Sequence, residues 1–222
     1  RAVTGVQTCA LPIFKLSSTN CSWCHPTKSA RGEGFAMSRP DFDLSVYLVT
    51  DTAQCGGPEE IVETVLRAIS GGVTLVQFRD HDLPDDEFVA LGRRVRDVCD
   101  EIPLIIDDRV HLVAEIGADG AHVGQSDMPV AQAREVLGDN LLIGLSAQTP
   151  AHVEAALSHG PDVVDVSPWP VCVIGGVTAS DAQDVARVGC DGLSVVSAIC
   201  RNADPESNAR ELAQAWCHAK GR

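Results

Sequence analysis

The chain has 222 residues, which is enough for one large domain or two small ones. Its 45% apolar and 22% charged residues are typical of a globular protein with a sizeable core, and no apolar run is long enough to span a bilayer. The formal net charge of -14, without a cluster of lysine and arginine, argues against nucleic acid or an anionic membrane as a partner.

Cysteine usage favours a reducing compartment. Several of the nine cysteines lie inside apolar segments, as Cys99, Cys172, Cys190 and Cys200 do. In such segments cysteine behaves as a small buried hydrophobe. Residues 1–14 lack the long apolar stretch of a secretory signal. Together these features predict a cytoplasmic protein.

Residues 1–36 differ from the rest of the chain. They show no helical or strand period, and we interpret them as a disordered or non-native leader, with Met37 as the preferred natural start. Cys21–His25 has the Cys-x-x-Cys-His spacing of c-type haem attachment. Because no helical haem-binding context or second zinc ligand pair surrounds it, we assign this motif to the leader. Residues 37–222 are predicted to form one domain.

From Val46 short apolar runs alternate with amphipathic segments. Predicted strands cover residues 46–51, 74–80, 103–108, 120–125, 141–147, 162–166, 171–177 and 192–199. Predicted helices cover residues 58–70, 85–101, 109–116, 129–137, 150–158, 180–188 and 205–218. Nearly continuous apolar strands are typical of a parallel sheet buried on both faces. The alternation predicts an α/β TIM (β/α)8 barrel. A doubly wound open sheet is the alternative, although no glycine-rich dinucleotide fingerprint follows the first strand.

The junction between predicted strands six and seven is too short for this fold. Only residues 167–170 separate the two strands. A crossover between parallel strands needs a dozen or more residues. The sequence therefore predicts a barrel that lacks the loop after strand six and helix six.

Polar residues cluster where the predicted strands end, which is where TIM barrels carry their active sites. Any one of these residues could be a simple turn residue. Asp108 and Asp127 end neighbouring strands and offer hard oxygen ligands for Mg²⁺ shared with a substrate phosphate. Arg79 could clamp a phosphate with its planar guanidinium. The glycines at 175–176 and the turn after strand eight occupy the usual phosphate position of such barrels. The pattern predicts an anionic small-molecule substrate.

These residues lie in stretches that resemble the thiamine-phosphate synthase family. The matching stretches run in order from Tyr47 to Ile199. They are YLVTD, GGVTLVQFRD, PLIIDDRVHLVAEIGADGAHVGQSDMP, IGLSAQT, VIGGVTASDA and GCDGLSVVSAI. The resemblance implies a TIM barrel and a transferase of thiamine biosynthesis. Its substrates would be hydroxymethylpyrimidine diphosphate and thiazole ethyl phosphate, its products thiamine phosphate and pyrophosphate, and its cofactor Mg²⁺.

Carried over by position, the resemblance also implies roles for individual residues. Gln77 and Arg79 would hold the pyrimidine diphosphate, and Asp108 and Asp127 would bind Mg²⁺. Ser146 would contact the pyrimidine substrate and, with Arg79 and the two aspartates, form the catalytic group. The family mechanism is dissociative: pyrophosphate leaves first, and the thiazole nitrogen captures the pyrimidine cation. Mg²⁺ and arginine stabilise charge that grows on such a leaving group.

The thiazole phosphate would be bound by Gly176, Val196 and Ser197 through backbone amides and a hydroxyl. Two further substrate-binding positions depart from the family pattern. His81 stands where the family usually has lysine, and Asp107 where it usually has asparagine. The loop that grips pyrophosphate in the family, with its lysine, is missing between predicted strands six and seven, so the activity of this chain is in question.

Two alternatives remain open from the sequence. A thiazole tautomerase-like barrel would share the thiazole phosphate site but carry a general-base histidine and a weakened metal pair, whereas Asp108 and Asp127 are both retained. A non-catalytic phosphate-binding barrel, or an unstable fragment, would follow if the missing segment were essential. The sequence leaves open whether the chain forms a homo-oligomer.

Overall fold

Parallel β-strands form the centre of the molecule. The structure is a computed structural model in which residues 42–146, 170–187 and 189–222 are described. The described strands are β1 (Val46–Val49), β2 (Leu75–Phe78), β3 (Leu104–Asp107), β4 (Gly120–Val123), β5 (Leu142–Leu145), β6 (Cys172–Ile174) and β7 (Gly192–Val195). These seven strands form one sheet in the order β5-β4-β3-β2-β1-β7-β6, and each neighbouring pair is parallel.

Helices follow most of the strands along the chain. The described helices are α1 (Glu60–Gly71), α2 (Asp85–Val98), α3 (Val113–Ile116), α4 (Val130–Leu137), α5 (Ala182–Arg187), α6 (Ser197–Cys200) and α7 (Pro205–Ala219). Short 3-10 turns at Val110–Leu112 and Ala179–Asp181 lead into α3 and α5. In the part of the chain that is described, no helix is long and apolar enough to cross a membrane.

Alternate residues of each strand face opposite sides of the sheet. In β1, Val46 and Leu48 belong to the large core between sheet and helices, whereas Tyr47 and Val49 belong to a second, inner cluster. Leu142 of β5 and Cys172 of β6 also pack in that inner cluster, although their strands lie at opposite ends of the sheet. The sheet is therefore curled into a half-barrel whose inner face surrounds its own small core.

The described strands and helices agree closely with the sequence predictions, and most strands are a few residues shorter than predicted. One prediction was wrong at its end: Ser197–Cys200 is helical, not the continuation of a strand. Ile199 and Cys200 are apolar because this turn packs into the core, so burial rather than strand pairing explains the run. Predicted strand seven is β6 and predicted strand eight is β7. The predicted strand at 162–166, the predicted helix at 150–158 and the leader lie outside the described residues.

Candidate active site

A cleft of about 530 Å³ opens on the inner face of the half-barrel, at the carboxyl ends of the strands. Its lining combines polar and charged side chains with a few apolar ones from the inner cluster. The lining residues are Tyr47, Val49, Gln77, Arg79, His81, Asp107, Asp108, His122, Gly124, Gln125, Ser126, Asp127, Ser146, Ile174 and Ser194. Parallel strands bring these residues together because their carboxyl ends meet at one edge.

A hydrogen-bonded series crosses β1, β2 and β3 on the inner face. The Tyr47 hydroxyl donates to Oε1 of Gln77, and Nε2 of Gln77 donates to Oδ1 of Asp107. Tyr47 and Gln77 are both buried. Because the two ends of the Gln77 amide have different partners, the orientation of the amide is fixed.

Arg79 follows β2 and lies beside Asp107. Its Nε is 3.7 Å from Oδ2 of Asp107 and donates to Nε2 of His81 at 2.8 Å. The backbone N–H of Arg79 donates to Oγ1 of the buried Thr50 at 3.0 Å, which holds the start of this loop against β1. Burial, and after it the Asp108 carboxylate, raises the pKa of Asp107 to about 7, although the Arg79 guanidinium lowers it.

Asp108 and Asp127 approach each other across the ends of β3 and β4. Asp108 has a positive φ of 56°, which turns the chain sharply after β3. Burial raises the pKa of Asp108, and a hydrogen bond between its carboxyl group and that of Asp127 raises it further. Oδ2 of Asp127 accepts from the backbone N–H of Gly124 at 2.7 Å. Two carboxyl groups in contact form a donor set that fits a hard divalent cation.

A second set of possible metal ligands overlaps the first. His81, Asp107 and Asp108 each offer a ligand atom, and these atoms lie within 4.8 Å of one another. His81 is exposed, whereas the two aspartates are half-buried. The described residues thus bring carboxylates and an imidazole to the same edge of the cleft.

His122 and Ser146 form a buried pair in the lining of the cleft. Nε2 of His122 lies 2.8 Å from Oγ of Ser146, and Nε2 of Gln125 donates to the Ser146 carbonyl oxygen at 2.6 Å. Burial lowers the pKa of His122 to about 4, so the imidazole is neutral near pH 7. A Cβ at Gly144 would overlap with Nδ1 of His122, so glycine at this position lets the ring lie against β5.

The predicted thiazole phosphate residues lie beside the cleft rather than in its lining. Gly176 follows β6, and Val196 and Ser197 follow β7, the neighbouring strand, so the three residues share one end of the sheet. Gly176 has a φ of 68°, a conformation that favours glycine. Gly176 and Ser197 are exposed, and Val196 is half-buried. The other predicted site residues all line the cleft.

Three polar strand residues of the cleft were not predicted from the sequence. Tyr47, His122 and Ser194 lie within strands rather than after them. Their positions on the inner face follow from the two-residue alternation of a strand, which was the signal available. Ser194 is 1% exposed, and its Oγ has no hydrogen-bond partner among the described residues.

Comparison with known proteins agrees with this geometry. Residues 46–169 match the family described as Thiamine monophosphate synthase. The chain is 38% identical over 213 residues to a thiamine-phosphate synthase of Xanthobacter autotrophicus, covering 83% of this chain and 100% of the relative. It is 36% identical over 200 residues to a thiamine-phosphate synthase of Psychrobacter sp., covering 76% of this chain and 93% of the relative.

Solved structures show the same relationship. A thiamine phosphate pyrophosphorylase from Pyrococcus furiosus superposes with a TM-score of 0.70 and 28% identity, covering 79% of this chain and 96% of that one. A 3-hexulose-6-phosphate synthase from Salmonella typhimurium, at 16% identity and a TM-score of 0.61, shares the fold. On this agreement of sequence, fold and site, the chain belongs to the thiamine monophosphate synthase family, the transferases of thiamine biosynthesis.

Proposed function

We propose that this chain joins hydroxymethylpyrimidine diphosphate to thiazole ethyl phosphate and releases pyrophosphate. The observation that carries the proposal is the convergence of Gln77, Arg79, Asp108 and Asp127 on one cleft. A guanidinium and a pair of carboxylates at the same edge suit a diphosphate that is bound together with a divalent cation. The family to which the chain belongs carries out this chemistry.

In the proposed reaction, each side chain has a separate task. Gln77, held by Tyr47 and Asp107, presents a fixed amide to the pyrimidine ring. Arg79 stabilises negative charge that grows on the departing diphosphate, and the catalytic group includes Ser146 on the cleft floor. Asp108 and Asp127 would hold Mg²⁺, which when bound neutralises diphosphate charge. No side chain needs to act as a nucleophile.

The thiazole phosphate is assigned to Gly176, Val196 and Ser197. Support comes from their shared position at the ends of the paired strands β6 and β7, next to Ile174 and Ser194 in the cleft lining. The backbone N–H groups of such turns suit an anion. A ligand that reached from Arg79 to Ser197 would cross the cleft and bring both substrates together.

We further propose that the whole domain, residues 37–222, is an eight-stranded barrel with an internal deletion between residues 166 and 171. Two findings support the deletion. The match to the family stops at residue 169. The alignment with the Xanthobacter relative spans 213 positions but includes only 83% of the 222 residues here, so the relative has residues without a counterpart in this chain. A cytoplasmic location stays a prediction from the sequence.

The first test is the formation of thiamine phosphate from the two substrates with Mg²⁺. We expect activity below that of the Xanthobacter relative assayed beside it, because the pyrophosphate loop is missing. Asp127→Asn should lower kcat/KM by at least about tenfold through loss of metal affinity. Asp184→Asn is a matched control, since Asp184 is an exposed surface residue paired with Arg187.

Equal activity of Asp127→Asn and the control would contradict the metal role of Asp127. Turnover equal to that of the relative would show that the missing loop is not needed. A tautomerase-like activity is tested in the same samples, because His122 is a neutral imidazole in the cleft. Proton exchange on the thiazole substrate without Mg²⁺, and without thiamine phosphate, would favour that function instead.

A further inference from the structure

Two neighbouring positions give this cleft a donor set of mixed chemistry. His81 follows β2, and Asp107 ends β3, the adjacent strand. Together with Asp108 their ligand atoms lie within 4.8 Å of one another.

The imidazole of His81 has the form that binds a metal. Nε of Arg79 donates to Nε2 of His81 at 2.8 Å, so Nε2 carries a lone pair and no proton. Neutral imidazole with an unprotonated nitrogen is the metal-binding species. Because His81 is exposed, its ring can turn toward an ion without disturbing the core.

We propose that this chain binds a divalent first-row transition ion, such as Mn²⁺, through the His81 imidazole and the carboxylates of Asp107 and Asp108. Imidazole nitrogen favours such ions over Mg²⁺, which prefers oxygen ligands alone. Asp108 is shared with the Asp108–Asp127 pair, so an ion in one set excludes an ion in the other. This metal site lies in the cleft of the proposed function and rests on that cleft, but it does not depend on the proposed reaction.

Binding at His81 also affects Arg79. The ion takes the Nε2 lone pair that now accepts from Arg79, and it shares the carboxylate of Asp107, which lies 3.7 Å from the same guanidinium. Arg79 then loses both contacts and is free to bind an anion. The ion and the diphosphate-binding arginine are thereby coupled through two side chains.

The test uses Mn²⁺ alone with the full chain and no substrate. Electron paramagnetic resonance counts bound Mn²⁺, spin-echo measurements detect coupling to an imidazole nitrogen, and Mg²⁺ is added as competitor. Mn²⁺ is chosen because the cysteine sulfur atoms of the chain favour softer metals. The variants are His81→Lys and Asp107→Asn, and the control is His111→Lys. His111 is an exposed histidine 3.1 Å from a single carboxylate, that of Asp85.

We expect one Mn²⁺ per chain, with imidazole coupling, held more tightly than Mg²⁺. His81→Lys should abolish the coupling and weaken Mn²⁺ binding at least about tenfold, as expected when a ligand is lost. Asp107→Asn should weaken Mn²⁺ binding while the coupling remains, and His111→Lys should change neither property. Coupling that is absent from the unmodified chain, or lost equally in His111→Lys, would overturn the proposal.

The outcome is separable from the proposed function. Imidazole-coupled Mn²⁺ in a chain that forms no thiamine phosphate would support this site and count against the activity. Mg²⁺-dependent formation of thiamine phosphate by a chain without the imidazole coupling would support the activity and count against this site. Folding of each variant is checked by its thermal transition, and Asp107→Asn keeps the test valid should His81→Lys fail to fold.

Discussion

At the scale of single residues, the burial of His122 makes the stability of the protein depend on pH. Its pKa is about 4 in the folded chain against an ordinary 6.5, so the unfolded chain takes up a proton more readily. The stability that depends on neutral His122 is therefore complete above pH 6.5 and is lost as the pH falls toward 4. A shift of this size corresponds to about 3 kcal/mol.

We predict that His122→Asn reduces this loss. Between pH 6.5 and 4 the free energy of unfolding of the unmodified chain should fall relative to the variant by about 3 kcal/mol, measured by urea denaturation without metal. Asp107 acts in the opposite sense, because its raised pKa of about 7 makes the folded chain more stable as the pH falls. Because Asp107 is present in both proteins, its contribution cancels in the difference between the stability curves of the unmodified chain and of His122→Asn.

Ser146→Ala is the control for this comparison. It removes the hydroxyl 2.8 Å from Nε2 of His122 but keeps the imidazole. We expect its stability curve to run parallel to that of the unmodified chain over the same pH range. A His122→Asn curve that also ran parallel would contradict the assignment of the acid sensitivity to His122.

At the scale of elements, the packing of α1 against α7 depends on one glycine. A Cβ at Gly71 would overlap with the backbone carbonyl oxygen of Glu206 and would crowd Ala209. Backbone cannot move aside as a side chain can, so we predict that Gly71→Ala lowers the free energy of unfolding by about 1–3 kcal/mol. Thermal or urea unfolding would measure the loss.

Gly92→Ala provides a matched comparison within α2. There a Cβ would meet Cδ1 of Ile116 at 2.9 Å, the far end of a flexible side chain. The gain in helix propensity, about 1 kcal/mol, offsets the crowding. We therefore expect Gly92→Ala to cost less than Gly71→Ala, and the reverse order would refute the packing argument.

The order of elements could be predicted from the sequence because each strand is an apolar run and most helices have a periodic apolar face. Arg79 and Asp108 could be predicted to line the cleft because they directly follow strands, and Asp127 because it lies in the loop after β4. The contacts of Asp107 could not be predicted, because they depend on the stagger of β3 against β2, in which Ile105 pairs with Gln77. Local pattern does not fix this stagger. Tyr47 and His122 were hidden because each lies inside an apolar run.

At the scale of the whole molecule, the described sheet has β5 and β6 at its edges, each with a neighbour on one side among the described strands. As we propose, the crossover before β6 is shortened, and a sheet face that loses its covering helix is less stable. We predict that replacing residues 167–170 with the segment that joins the equivalent strands of the Xanthobacter relative raises thiamine phosphate formation at least about tenfold and Tm by several degrees.

A glycine-serine insertion of the same length is the control for this chimaera. It supplies length but no anion-binding side chains, so we expect little gain in activity. Equal activity of the two variants would show that the family segment contributes only its length. A chimaera no more active than the starting chain would contradict the proposal that the deletion limits the reaction.

The hydrogen-bonded series of Tyr47, Gln77 and Asp107 also has a direction. Above the pKa of Asp107, which is about 7, its carboxylate can only accept, so it obliges Nε2 of Gln77 to donate toward it and leaves Oε1 for the Tyr47 hydroxyl. An asparagine could face either way and would allow the Gln77 amide to rotate end for end. In the proposed function, this series would therefore offer the pyrimidine ring one fixed pattern of donor and acceptor.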